Sequence, residues 1–181
     1  MKGIVFTEFM DMVEQRWGME MVDDLINATN PASNGAYTSV GTYDLNELVG
    51  YVVELSRRLD APVPALVKAF GVFLAGSFVK KFPVFFASAR STFDVLREVD
   101  RHIHVEVRKL YPDAELPVFS YRDVGADTLE LIYESTRNLP DLAEGLIEGC
   151  AGHFNELLRI ERSHVQMEPV PQVVFLITRL A

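Results

Sequence analysis

One stretch, Ser91 to Leu110 (STFDVLREVDRHIHVEVRKL), constrains the fold more than any other. Phe93, Leu96, Val99, Ile103, Val107 and Leu110 recur at spacings of three and four, so they form an apolar stripe that must face a core. Ser91 with Asp94 three residues later is a capping-box-like start, and Pro112 follows soon after the stripe ends. The pattern predicts one long helix from about Ser91 to Leu110. It carries two histidines, His102 and His104, which at about 100° per residue point to opposite flanks of the stripe. His104 shares a flank with Phe93 and Tyr111, whereas His102 lies with Val95, Glu98 and Glu106. At most one can enter a cavity on that side; the flank favours His104 and leaves His102 open.

A chain of 181 residues fits one domain or two closely packed subdomains and can bury a sizeable core. Nearly half of it is apolar, with 12 Phe, ample for an enclosed pocket. The net charge of −9 argues against a nucleic-acid or anionic-membrane surface, because those need a basic patch. A single cysteine, Cys150, excludes an internal disulfide framework, cannot alone make a zinc site, and points to a reducing compartment. The opening MKGIVFTEFMDMVEQRWG has acids inside its apolar pattern and lacks the apolar segment of a signal peptide. No apolar run approaches about 18 residues, so none is expected to cross a membrane. A soluble, cytoplasmic protein is expected.

Along the chain, residues 4–17 read as an amphipathic helix ended by Gly18, and Met19 to Asn27 as a shorter one. Asn30 to Gly41 is a turn-rich loop, and Asp44 opens a helix that ends near Asp60. After Pro62 and Pro64, ALVKAFGVFLAGSFVKKF is apolar on nearly all sides and reads as a helix in the core or on a cavity wall. VFFASAR is a connection. Beyond Pro112, PVFSYRD and TLELIYES alternate with period two around a turn at Val124 to Asp127, a β-hairpin. LPDLAEGLIEGCAGHFNELLRI returns to helical spacing, then IERSHVQMEP and QVVFLITRL are two strands joined at Val170 to Pro171. The order predicts an α+β fold: a helical N-terminal subdomain (about 1–62) packed on a C-terminal subdomain (about 63–181) with a four-stranded antiparallel sheet.

Tyr133, Ser135 and Arg137 (YESTR) stand at i, i+2 and i+4, which on a strand puts them on one face. A phenol, a hydroxyl and a guanidinium in a row form a donor array suited to carboxylates, or an ordinary solvated strand face. Together with MKGIVFTEF, the histidine seven residues before Tyr111-Pro112, DAELP and GLIEG, this motif resembles the haem–nitric oxide/oxygen-binding (H-NOX) family. The resemblance covers essentially the whole chain and implies a single domain with haem b between its two halves. It implies His104 as the iron ligand, Tyr133, Ser135 and Arg137 as holders of the propionates, and Pro117 pressing on the macrocycle. It implies a gas pocket lined by Val5, Phe9, Leu74, Phe78, Leu142 and Leu146. His153 and His164 match no ligand position.

Oxygen-binding members of that family carry a tyrosine at the position matching Leu142, whose hydroxyl donates to bound O₂. Neither Leu142 nor Leu74 can donate. The resemblance therefore implies a sensor, not an enzyme, that binds NO and CO at ferrous haem, excludes O₂, and signals by release of His104. A peroxidase-type enzyme would need a distal acid or base, and a haem-free interaction module would take up no haem. Some bacterial members have a cysteine–histidine zinc cluster in the C-terminal part; with only Cys150, none is expected here. No cyclase or kinase segment follows the last strand, so the expected output is to a histidine kinase or cyclic-di-GMP enzyme acting in trans.

Overall fold

The Asp44 side chain accepts a hydrogen bond from Asn46 N–H at 2.9 Å. That satisfies one of the donors a helix start leaves unpaired, and α3 runs from there over Leu45–Leu59. The computed structural model describes residues 1–165, 170 and 172–180. Upstream, α1 (Gly3–Trp17) and α2 (Met19–Thr29) are separated by Gly18, whose φ of 87° favours glycine. Downstream, α4 (Val63–Lys81) carries Pro64 in its first turn, where an N–H would have no intrahelical partner anyway. These helices enclose a core built on Phe6, Phe9, Met12, Leu25, Tyr51, Leu55 and Phe70. Phe9 meets Phe70 edge-on with centroids 5.3 Å apart, a geometry that adds to area burial. Leu66, Phe70 and Leu74 belong to the same core, so the helical unit runs past residue 62 into α4.

A second core joins the sheet to two helices. Strands β1 (Val118–Gly125), β2 (Thr128–Glu134), β3 (Leu158–Val165) and β4 (Gln172–Arg179) pair antiparallel in the order β1-β2-β4-β3. Alternation in β2 and β4 sends Leu129, Leu131, Tyr133, Val173, Phe175 and Ile177 to one face. There they meet Phe93 and Leu96 of α5 (Thr92–Glu98) and Ala143 and Ile147 of α7 (Pro140–Phe154). The expected α+β arrangement is present. Helix α7 stops at Phe154 because Asn155 turns left-handed at φ 54° and its N–H caps the last carbonyls. Leu158 to Ile160, expected in the helix, therefore belong to β3. The expected continuation of that strand to Pro169, and its joint at Pro171, lie outside the described residues.

Helices α4 and α7 touch backbone to backbone. A Cβ on Gly145 would stand 2.1 Å from the Lys68 carbonyl oxygen, and one on Gly71 would stand 2.5 Å from that of Leu142. Contrary to expectation, α4 is long and apolar enough by composition to cross a membrane, with a mean hydropathy of 1.5. Lys68 interrupts the apolar run when residues are counted in a line, and the other two charges of the 19-residue helix, Lys80 and Lys81, stand in its last turn. In the fold α4 packs against α7 and α1, Lys68 is paired with Glu144 at 2.7 Å, and Leu74 and Phe78 line a cavity.

Candidate functional site

The stripe of the Ser91–Leu110 segment does face inward, but the segment is not one regular helix. Between α5 and α6 (His104–Leu110), residues Val99–Ile103 form a π turn, and the His104 N–H reaches back five residues to the Val99 carbonyl. Such turns insert one extra residue and often mark functional positions. This one delivers Val99, Ile103, His104 and Val107 to a cavity of about 300 Å³ enclosed by α1, α4, α5–α6, β1–β2 and α7. That volume falls in the range of small-molecule sites, roughly 300–1,000 Å³.

His104 is 9% exposed, and its Nδ1 lies 3.2 Å from Asp100 Oδ1. Burial holds the imidazole below its ordinary pKa, with the Arg108 charge acting the same way. Asp100 and the backbone of Pro117 oppose the shift without reversing it. The ring is thus neutral at neutral pH, the form that binds metal. With Nδ1 turned to Asp100, Nε2 is the nitrogen left to bind. His102 is exposed and lies edge-on to Phe85, outside the cavity. His153 and His164 are exposed as well.

Tyr133, Ser135, Arg137 and Pro117 all line the cavity. They do not share a pleated face as expected, because β2 ends at Glu134. Ser135 to Asn138 instead form a turn: Asn138 N–H donates to the Ser135 carbonyl at 3.2 Å, and Asn138 is left-handed at φ 46°. The turn folds Arg137 back beside Tyr133. The Tyr133 hydroxyl accepts from Leu139 N–H at 3.0 Å, which leaves its own proton to donate. The Arg137 guanidinium grips the Glu115 carboxylate at 2.6 Å and the Glu115 carbonyl at 2.6 Å. The corner thus already binds one carboxylate in the way it would bind another.

The lining drawn from α1, α4 and α7 is apolar. Val5, Leu74, Phe78, Leu142 and Leu146 belong to it as expected. Phe9 does not: it is fully buried one turn below Val5, between Tyr51 and Phe70. Cys150 does line the cavity, and burial pushes its thiol up to about 12. Its spacing of four from Leu146, itself four from Leu142, was the sequence signal for it. Glu115 and Lys2 were also missed, since both belong to irregular segments without periodicity.

The chemistry of the donor set fits haem. Among the described residues no three His, Cys, Asp or Glu side chains gather to hold a bare ion. A metal at His104 must therefore bring most of its own ligands, as haem iron does. The apolar wall suits a macrocycle, and the Tyr133–Ser135–Arg137 corner suits its two carboxylates.

Fold and cavity together describe a domain that encloses a flat, largely apolar, anionic cofactor beside one neutral imidazole. The family model described as Haem-NO-binding matches residues 2–162, and the chain belongs to that family, whose members bind haem and act as sensor domains rather than catalysts. Among solved structures, the Fe(II) unliganded H-NOX protein from K. algicida is 35% identical with a TM-score of 0.90, covering 100% of this chain and 97% of that one. The H-NOX from Shewanella woodyi, solved in solution with IWP-051 in the Fe(II)CO state, is 40% identical with a TM-score of 0.85, covering 99% and 95%. The H-NOX protein from S. oneidensis in the Fe(II)NO state is 29% identical with a TM-score of 0.91, covering 100% of both chains. No match is found among curated protein sequences.

Proposed function

We propose that this protein is a haem-based gas sensor that takes NO and CO at ferrous haem b and excludes O₂. The observation that carries the reading is the make-up of the cavity: one neutral imidazole, and from α1, α4 and α7 an apolar lining of Val5, Leu74, Phe78, Leu142 and Leu146. When bound, the haem supplies an iron with one coordination position open to a diatomic gas. His104 Nε2 would hold that iron, Tyr133, Ser135 and Arg137 would hold the propionates, and Pro117 would pack on the ring. The apolar wall keeps water out and offers no hydroxyl, amide or imidazole proton to a gas. O₂ depends on such a donor far more than NO or CO does. The same lack of an acid or base leaves no group for peroxidase chemistry. The relatives solved with NO and with CO support the choice of ligands.

Signalling follows from where His104 stands. It begins α6, directly after the π turn, while the apolar wall belongs to the helical unit and α7. Release of His104 on NO binding would free α6 to move, so that the N-terminal helical half would shift against the sheet half. A separate protein, a histidine kinase or a cyclic-di-GMP enzyme, reads the difference between the two states. A charge of −9 and one buried, reduced thiol suit a cytoplasmic setting. The test is haem uptake by the purified protein and by His104→Gly. The wild type should bind haem one to one with a five-coordinate ferrous spectrum, and the variant should recover that spectrum only with added imidazole. An unchanged spectrum in His104→Gly without imidazole would remove His104 as the ligand.

A further inference from the structure

An imidazole that gives one nitrogen to a metal must do something with the proton on the other. Here Asp100 Oδ1 stands 3.2 Å from His104 Nδ1. Asp100 lies within the π turn, four residues before His104, and is about one-third exposed. On the same segment Arg97 pairs with Asp123 at 2.6 Å and Lys109 with Glu106 at 2.6 Å, while the Arg108 charge is felt at the His104 ring. Among the described residues Asp100 makes no side-chain hydrogen bond or ion pair except with His104. The backbone of Pro117 also faces the ring.

We propose that Asp100 is a positioning residue for His104, a role that rests on His104 being the iron ligand. Its carboxylate accepts the Nδ1 proton, which fixes the tautomer with Nε2 free of hydrogen and sets the ring's angle to the cavity. A charged acceptor also makes the imidazole a stronger donor through Nε2 than a neutral carbonyl would. Asp100 thereby sets how firmly His104 holds when a gas binds opposite. Because the π turn carries Asp100 and ends at His104, any movement of the turn changes this contact and the metal bond together.

The experiment compares haem-loaded wild type with Asp100→Asn, Asp100→Glu and His104→Ala, reading the ferrous iron–imidazole stretching band by resonance Raman and the Fe(III)/Fe(II) midpoint potential. Asp100→Asn should move the band to lower frequency, raise the potential, and weaken haem retention by about ten- to a hundred-fold, the usual cost of removing a partner of a metal-bound histidine. Asp100→Glu should restore most of each shift, which a merely structural role would not produce. His104→Ala should abolish the band. If it does, yet Asp100→Asn leaves band and potential unchanged, the Nδ1 proton goes to the Pro117 backbone; the proposal then falls while the haem assignment stands. If the band survives in His104→Ala, both fall.

Discussion

Substituting Gly145 by alanine tests whether the α4–α7 contact, which carries two of the cavity's walls, is as tight as the structure has it. A Cβ there would lie 2.1 Å from the Lys68 carbonyl oxygen and 2.9 Å from Gly71 Cα. Real Cβ atoms essentially never come under 3.0 Å, and the neighbours are backbone atoms, so the two helices must part by close to an ångström. Forcing an extra carbon into a packed site costs typically about 1–3 kcal/mol, partly offset by the roughly 0.5–1 kcal/mol that alanine gains over glycine inside a helix. A net loss of about 1–2 kcal/mol should lower Tm by roughly 2–8 °C in a chain of this size. Gly76, also in α4, is the control: nothing lies within 4 Å of its Cβ position, so Gly76→Ala should hold or raise Tm. The assay is thermal unfolding followed by circular dichroism on haem-free and haem-loaded protein. Because Leu142 and Leu146 flank Gly145 on α7, Gly145→Ala should also shift the Soret band. Equal Tm for Gly145→Ala and Gly76→Ala would refute the close approach.

Two other perturbations read the cavity itself. Leu142→Tyr places a hydroxyl on the apolar wall; a hydrogen bond to a charged acceptor is worth about 1.5–3 kcal/mol, so O₂ affinity should rise about ten- to a hundred-fold, measured by O₂ titration of the ferrous protein. Cys150, its thiol pushed up to about 12, should stay unlabelled by iodoacetamide at pH 8 in the folded protein and react once unfolded. The same shift means the unfolded chain loses that proton first, so stability should fall as pH rises above the ordinary thiol range, seen as a lower urea midpoint.

Periodicity located the inward stripe of Ser91–Leu110, the buried α4 and the alternating strands, because burial of one face is what those patterns report. It did not locate the π turn: one added residue leaves spacings of three and four nearly unchanged while re-bonding His104 N–H to Val99. Phe9 shows a second limit. Val5 and Phe9 share a face of α1, yet one meets a cavity and the other solid core, and only three-dimensional packing distinguishes them. Tyr133, Ser135 and Arg137 do meet at the cavity, but not as one pleated face, since a turn capped by left-handed Asn138 gathers the last two. The signal for Cys150, its spacing of four from Leu146, itself four from Leu142, becomes usable only once the direction in which α7 faces the cavity is known. Glu115 and Lys2 reach the cavity from irregular segments, where sequence spacing carries no direction.

The most direct test of this reading of the cavity is the visible spectrum of the reduced, haem-loaded protein, taken first in air and then under NO. A neutral imidazole in a cavity whose apolar lining has no proton to donate requires no oxygenated species in air and complete conversion under NO. A stable oxygenated spectrum in the wild type would mean that a donor reaches the gas, and the account of this pocket would be wrong.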